Sequence, residues 1–332
     1  MTARRLSRTP ARSPSVERVS IALPETDGPF VRPAATHPAE PRWGHAEGLQ
    51  VGLSPLPGPR GLLRVYTPYL DQPRERMINF VAVEPVPAGE TTRGFSELEH
   101  SALDDAPGKR FWSADDPGDA TPRPETEPAR GTVETIDGVQ HLRVFVLVEP
   151  FANGADVHLR LTFRADRPHE VAIATYARET SVPLAHAIVT ATMGNYARLR
   201  ELHLADRVVT PAELWPGFSG HGFAPHARFG LDELVRDDAG AVVLAATPDE
   251  ADPVNVTYAD DVVPGWHFQG LRATQYWRAA DPHPDIQALV NARASYWASE
   301  SPIPGGAAFE NIELLEPFTQ GRELVLGVDP LT

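Results

Sequence analysis

The sequence predicts an all-β protein of the antiparallel β-sandwich or jelly-roll class, with one short helix. Three observations predict it. Apolar runs are short, rich in Val, Phe and Thr, and bounded by Gly, Pro, Asp or Asn. Proline and glycine are abundant, at 34 and 25 of 332 residues, and both break helices and mark turns. Strand-like runs follow one another without intervening helical periods, which disfavours a parallel α/β sheet.

Taken in order, residues 1–17 form an Arg-, Ser- and Pro-rich tail with no apolar period to offset the entropy cost of ordering. Residues 18–332 read as one large sandwich domain. Val19–Leu23 reads as a first strand, and the proline-rich stretch Pro24–Pro59 as loop with one edge strand near Leu49–Leu53. From Leu62 the strands come quickly: Leu62–Tyr66, Met77–Glu84, Thr132–Ile136, His141–Glu149, Val157–Arg164, Glu170–Ala177, Arg207–Val209, Ala241–Ala246, Asn255–Tyr258 and Leu324–Val328. In Val157–Arg164, Val157, Leu159, Leu161 and Phe163 share one face. Asp104–Arg130 reads as a long mobile or functional loop insertion. The spacing of Tyr196, Leu199 and Leu202 predicts a helix over Asn195–Leu204.

Composition narrows the function. The apolar and charged shares, 42% and 23%, are those of a globular chain. A net charge of −15 repels phosphate backbones and acidic lipids, so neither nucleic acid nor membrane is an expected partner. Without cysteine there is no disulfide, thiolate metal site or thiol nucleophile. Lys109 is the sole lysine, which leaves little room for Schiff-base chemistry. No secretory signal or spanning segment is visible, so the expected compartment is the cytoplasm. P-loop, dinucleotide-binding, HExxH and GxSxG motifs are missing. Histidines at non-motif spacing give no transition-metal site; a structural calcium held by Asp and loop carbonyls is compatible with the sequence.

Five segments carry candidate chemistry. In Trp266–Arg278, alternation puts His267, Gln269, Gln275 and Trp277 on one face, with Trp266, Arg272, Tyr276 and Arg278 on the other; Gly270 reads as a bulge that can exchange them. In Leu289–Ala298, Asn291, Arg293, Ser295 and Trp297 share a face. Indoles stack on the C–H faces of pyranoses, while amides and guanidinium groups pair with their hydroxyls. The two segments are therefore expected to line one sugar-binding groove. His267 and Tyr276 are the expected proton-transfer pair, Tyr276 beside an arginine serving as the acid or, with its pKa lowered, as the base. A solvated sheet face gives the same alternation.

The loop Ser219–His226 offers His221 and His226 as proton shuttles, or is simply structural. Arg93–Ser101, if extended, points Glu97 and Glu99 the same way, a carboxylate pair of the kind glycosidases use; a solvated edge strand is the alternative. Gly305–Leu314 reads as a late strand in which Phe309, Asn311 and Glu313 alternate with Glu310, Ile312 and Leu314, and Glu310 can reach a groove.

The segments NFVAVEPV, RGFSELE, GKRFW, ATMGNYARLR, GHGFAPH, TQYWR and IPGGAAFENIEL fall between Asn79 and Leu314 and carry a resemblance that covers about Leu62 to Val328. As a set they resemble an uncharacterised bacterial β-sandwich family whose members occur beside carbohydrate-degrading enzymes. PGGAAFENIEL also resembles the last strand of concanavalin-like sandwiches. The resemblance implies carbohydrate business and carries over no catalytic residue. The expected function is cleavage of a glycosidic bond, by hydrolysis through Glu97, Glu99 and Glu310 or by β-elimination through His267, Tyr276 and Arg278 or His221 and His226. The alternatives are a non-catalytic carbohydrate-binding sandwich and a partner-binding protein whose aromatics are core.

Overall fold

The computed structural model describes residues 20–36, 38–53, 60–192, 194–250, 255–297 and 299–331. Its strands, in chain order, are β1 (Glu25–Asp27), β2 (Phe30–Arg32), β3 (Arg42–His45), β4 (Gln50–Gly52), β5 (Leu63–Tyr66), β6 (Met77–Pro87), β7 (Phe111–Ala114), β8 (Thr132–Ile136), β9 (Val139–Val148), β10 (Val157–Arg164), β11 (Glu170–Ala177), β12 (Leu184–Thr192), β13 (Leu199–His203), β14 (Val208–Val209), β15 (Ala227–Gly230), β16 (Val235–Arg236), β17 (Val242–Pro248), β18 (Ala273–Ala279), β19 (Gln287–Arg293), β20 (Ala308–Leu315) and β21 (Glu323–Pro330). The single α-helix among the described residues, α1 (Pro211–Leu214), is one turn, closed by a capping box between Thr210 and Glu213.

Two antiparallel sheets form a sandwich. The first runs β1-β2-β3-β4-β5-β6-β12-β20-β19-β15. The second runs β14-β13-β17-β18-β21-β11-β10-β9-β7, with β16 beside β17 and β8 beside β9. The all-β expectation holds. Between the sheets lie the inward residues of both: Val81 and Val83 of β6, Val189 of β12 and Val290 of β19 meet Val144 and Val146 of β9, Leu159 and Leu161 of β10 and Trp277 of β18 in one core. The indole of Trp277 crosses it, donating through Nε1 to the carbonyl of Ile312 at 2.8 Å.

Several elements differ from the sequence reading. Asn195–Leu204 is a turn followed by β13, not a helix. Arg198 adopts a left-handed φ of 52°, which ends any helical run. A bulge between Leu199 and Glu201 brings Leu199 and Leu202 both to the core, reproducing helical spacing on a strand. The proline-rich N-terminal stretch holds β1 to β4, and β4 lies inside the sheet, not at its edge. Ala22 makes only an isolated bridge to Ala39, and Val19 lies outside the described residues, as does the 1–17 tail. Asn255–Tyr258 is not a strand. Within Asp104–Arg130, β7 pairs with β9 at the sheet edge, and Lys109, Phe111 and Trp112 are buried, so this stretch is built into the sandwich. Arg93–Ser101 is a turn rather than a strand.

The main correction concerns the expected groove. Trp266–Arg278 is strand only from Ala273, and Gly270, at φ 86°, is a turn residue packed against the carbonyl of Leu70. β18 belongs to the second sheet and β19 to the first, so their candidate faces do not share a surface. Trp277 and Gln275 point into the core, where Asn79 donates to Gln275 at 2.6 Å. Tyr276 and Arg278 lie on the opposite face, both donating to the carboxylate of Glu170. Burial and the neighbouring carboxylate Glu170 raise the Tyr276 pKa, opposite to the lowering expected of a base. His267 stacks on Tyr258 at 4.0 Å, with Nε2 3.2 Å from the carbonyl of Val262. Trp266 stacks on Tyr296, and the carbonyl of Gln269 accepts from Gln72.

Candidate active site

The outer face of the first sheet carries the remaining candidates. Along the registers, Ala82, Thr190 and Glu313 form one row across β6, β12 and β20. Phe80, Thr192 and Asn311 form the next, continued by Asn291 on β19, whose Oδ1 accepts the Asn311 N–H at 3.0 Å. Phe80, Glu84, Thr192, Glu310 and Asn311 line a cavity of about 130 Å³, walled by Leu62, Glu97, Leu98, Phe223 and Trp297.

A bulge makes this floor. Val290 pairs with Ile312 but Ala292 with Phe309, so Glu310 and Asn311 together oppose Asn291. Phe309 and Ile312 both enter the core, and the two residues between them turn outward. The strict alternation expected for this strand therefore fails: Glu310, Asn311 and Glu313 all leave the core side. Glu310 is only 2% exposed, and its Oε2 has no hydrogen-bond partner. Burial raises its pKa to about 7, against the opposing pull of Arg293 and the Asn195 backbone amide.

One wall is the turn over β6. Ser96 pins it, donating to the carbonyl of Gly61 at 2.6 Å and accepting the Val83 N–H at 3.0 Å. A Cβ on Gly61 would lie 1.9 Å from the Ser96 carbonyl oxygen, so this close approach requires glycine. Glu99 is part of the same scaffold: it accepts from the N–H groups of Phe95 and Ala152 and pairs with Lys109 at 3.2 Å. Glu97, by contrast, lines the cavity, has an unpartnered Oε2, and has a pKa raised by burial. Of the two expected carboxylates, one faces the cavity and the other holds the loop.

Arg93 reaches from the same turn to two further carboxylates. A single guanidinium nitrogen, Nη1, donates to Glu84 at 2.7 Å and to Glu313 at 2.9 Å. Glu84 also accepts from the Thr190 hydroxyl at 3.1 Å. Burial and the charge of Glu313 raise the Glu84 pKa, with Arg93 pulling against them. Burial works against the Arg93 charge, yet Glu313 and Glu84 outweigh it and raise its pKa. The two carboxylates are thus held around one cation.

The histidine loop closes the opposite side. His226 Nε2 lies 3.3 Å from Asn291 Nδ2 and 3.6 Å from Glu313 Oε1. His221 Nδ1 lies 3.4 Å from the Ser295 hydroxyl. The Arg293 guanidinium sits 5.0 Å from the Phe223 ring centroid, and its Nε donates to the Ser295 carbonyl. Trp297 is half exposed at the mouth.

The fold thus gathers candidates from four separate sequence segments, namely Glu97, then His221 and His226, then Asn291, Arg293 and Trp297, then Glu310. It leaves out His267, Tyr276, Arg278, Trp266, Gln269, Gln275 and Trp277. Sequence reasoning missed Glu84, Arg93, Phe223 and Glu313 as site residues. Glu84 carried a signal, being a carboxylate within the otherwise apolar run of β6. A larger, open depression of about 810 Å³ near Leu231, Asp232, Arg236 and Asp285 has only exposed charges and no buried titratable group. Among the described residues no group of three or more His, Asp or Glu is placed to hold a metal ion, and no helix is long and apolar enough to cross a membrane. No family model, curated protein or solved structure matches the chain.

Proposed function

We propose that this protein is a carbohydrate-active enzyme that hydrolyses a glycosidic bond, using carboxyl groups as acid and base. The observation that supports it is a buried carboxyl oxygen without a partner, Glu310 Oε2, on a cavity wall shared with Glu97 and Glu84. Glycoside hydrolysis needs one carboxyl protonated and one ionised near neutral pH. Glu310, with its pKa raised to about 7, suits the acid. It donates its proton to the leaving oxygen as the bond from the anomeric carbon to that oxygen breaks. Water attacks the carbon, and Glu97, with its open Oε2, accepts the water proton. The negative charge shared by Glu84 and Glu313 stabilises the oxocarbenium-like transition state. Asn311, with its unpartnered Oδ1, and Thr192 line the cavity as partners for sugar hydroxyls, and the Trp297 indole offers a stacking face.

Hydrolysis suits the site better than β-elimination from a uronic acid. Elimination needs a cation free to neutralise the enolate, and Arg93 is already engaged by two carboxylates. The test is a panel of glycosides scored for binding and for turnover, with Glu310→Gln beside the wild type. Loss of the acid is expected to lower kcat by about 10²- to 10⁴-fold on alkyl glycosides. The loss is smaller on 2,4-dinitrophenyl glycosides, whose leaving oxygen needs no proton. Wild-type turnover by Glu310→Gln overturns the reading, and binding without turnover makes the protein a lectin-like module.

A further inference from the structure

The cavity differs in character between floor and mouth. Its deep polar groups are Glu84, Glu97, Glu310, Asn311 and Thr192. Its rim carries three exposed apolar side chains: Leu98 at 63%, Phe223 at 49% and Trp297 at 50%. They come from three segments distant in sequence, the turn above β6, the histidine loop and the chain following β19. Exposed apolar side chains scattered singly need no explanation, whereas three converging on one cavity mouth mark a binding surface. Phe223 is also braced from beneath by Arg293.

A second sugar ring would be poorly served here. Each pyranose face is bordered by hydroxyls that need partners, and Leu98 and Phe223 offer none. An apolar group seated across the three would instead release water from all of them. The volume points the same way, since about 130 Å³ is below the usual range for drug-sized ligands and leaves little room beyond one ring. The cations set a further limit. Arg93 is engaged by Glu84 and Glu313, while Arg293 is buried and bonded to the Ser295 carbonyl. Neither guanidinium is free to receive a substrate carboxylate or sulfate.

We infer that the substrate is an uncharged glycoside with an apolar aglycone, the sugar on the carboxyl floor and the aglycone across Leu98, Phe223 and Trp297. This rests on the acid/base reading of the same cavity. The experiment compares ethyl and 2-phenylethyl glycosides of neutral pyranoses in both anomeric forms, with the matching glucuronides. Both aglycones leave as primary alcohols of similar acidity, protonated by Glu310, so the chemical step is matched and the comparison reports the rim. The 2-phenylethyl glycoside of the accepted sugar is expected to have a kcat/KM about tenfold higher or more. Leu98→Asn and Phe223→Asn are expected to shrink that ratio. Equal kcat/KM for the two aglycones, or faster turnover of glucuronides, overturns the inference while leaving glycoside hydrolysis standing. No turnover of any member overturns both.

Discussion

Glu310 and Asn311 are consecutive in the chain yet line the same cavity, because both stand opposite the single residue Asn291. In an unbulged strand one of them would point into the core. The bulge gives the site a carboxyl group almost sealed from water but still in contact with the cavity. It also loads the fold with a costly group, which makes the site's chemistry visible in stability measurements.

Glu310→Gln is expected to stabilise the protein at alkaline pH. The folded-state pKa of about 7 lies above the unfolded value of about 4.3. Between these values the folded state binds the extra proton, so stability falls as pH rises. Above pH 7 the full penalty is present, on the order of 3 kcal/mol. Glutamine is uncharged throughout. Thermal melts should nearly coincide near pH 4 and separate by pH 8 with the variant higher. Parallel curves would show that Glu310 does not titrate as described.

Arg93→Met should be among the most damaging single changes on this face. It leaves Glu84 and Glu313 buried without their shared donor, and breaking such a group by removing one partner typically costs about 3–5 kcal/mol. With Arg93 gone the Glu84 pKa rises further, so the loss is greater at pH 8 than at pH 5. Denaturant melts at the two pH values check the sign. Adding Glu84→Gln and Glu313→Gln should recover much of the loss, whereas a triple variant as unstable as Arg93→Met would assign the damage to packing.

The pattern of what was legible follows from the range of the forces involved. Val157–Arg164 and Glu170–Ala177 are readable because alternation and turn residues are local, and both strands have the predicted limits. β1 to β3 were obscured by prolines, which fall here between short strands, whereas β4 was read near Leu49–Leu53. The bulges at Leu199–Glu201 and at Glu310–Asn311 shift the phase of the pattern by one residue, and nothing local in the sequence announces them. The site was legible in pieces. RGFSELEHS, SGHGFAPH, LVNARASYW and GGAAFENIEL each stood out by residue type. Which of them meet is decided by strand order, since β20 stands between β12 and β19 while β18 lies in the other sheet. Side-chain chemistry alone cannot tell Trp277 from Trp297, because burial depends on that order.

Those two tryptophans give a direct test. Trp277 is 1% exposed and bridges the sheets through its indole N–H, so Trp277→Ala should cost about 3–5 kcal/mol. Trp297, half exposed at the rim, should cost within about 0.5 kcal/mol on the same substitution while weakening ligand binding. Urea midpoints and a binding assay separate the two. Equal destabilisation would contradict the assignment of one residue to the core and the other to the mouth.

His158 gives the fold a pH dependence of the opposite sign to Glu310. It lies on the outer face of the second sheet, stacked on Tyr176 at 5.1 Å and edge-on to Phe145. Burial lowers its pKa to about 4, with the charge of Arg178 adding to the effect and Asp156 opposing it. The unfolded value is about 6.5, so between the two the unfolded chain binds the extra proton. Stability from this residue is therefore complete above pH 6.5 and is lost as pH falls toward 4. The imidazole is partly accessible, so solvent reduces the slope below the one-proton limit. His158→Phe keeps an aromatic ring against Tyr176 and removes the titration. The variant should melt close to wild type at pH 8 and lose less of its stability by pH 5. Equal acid sensitivity in the two proteins would place the responsible proton elsewhere. His45 is the next residue to replace, because it is buried against Phe30 and Phe163 and has a pKa likewise lowered to about 4.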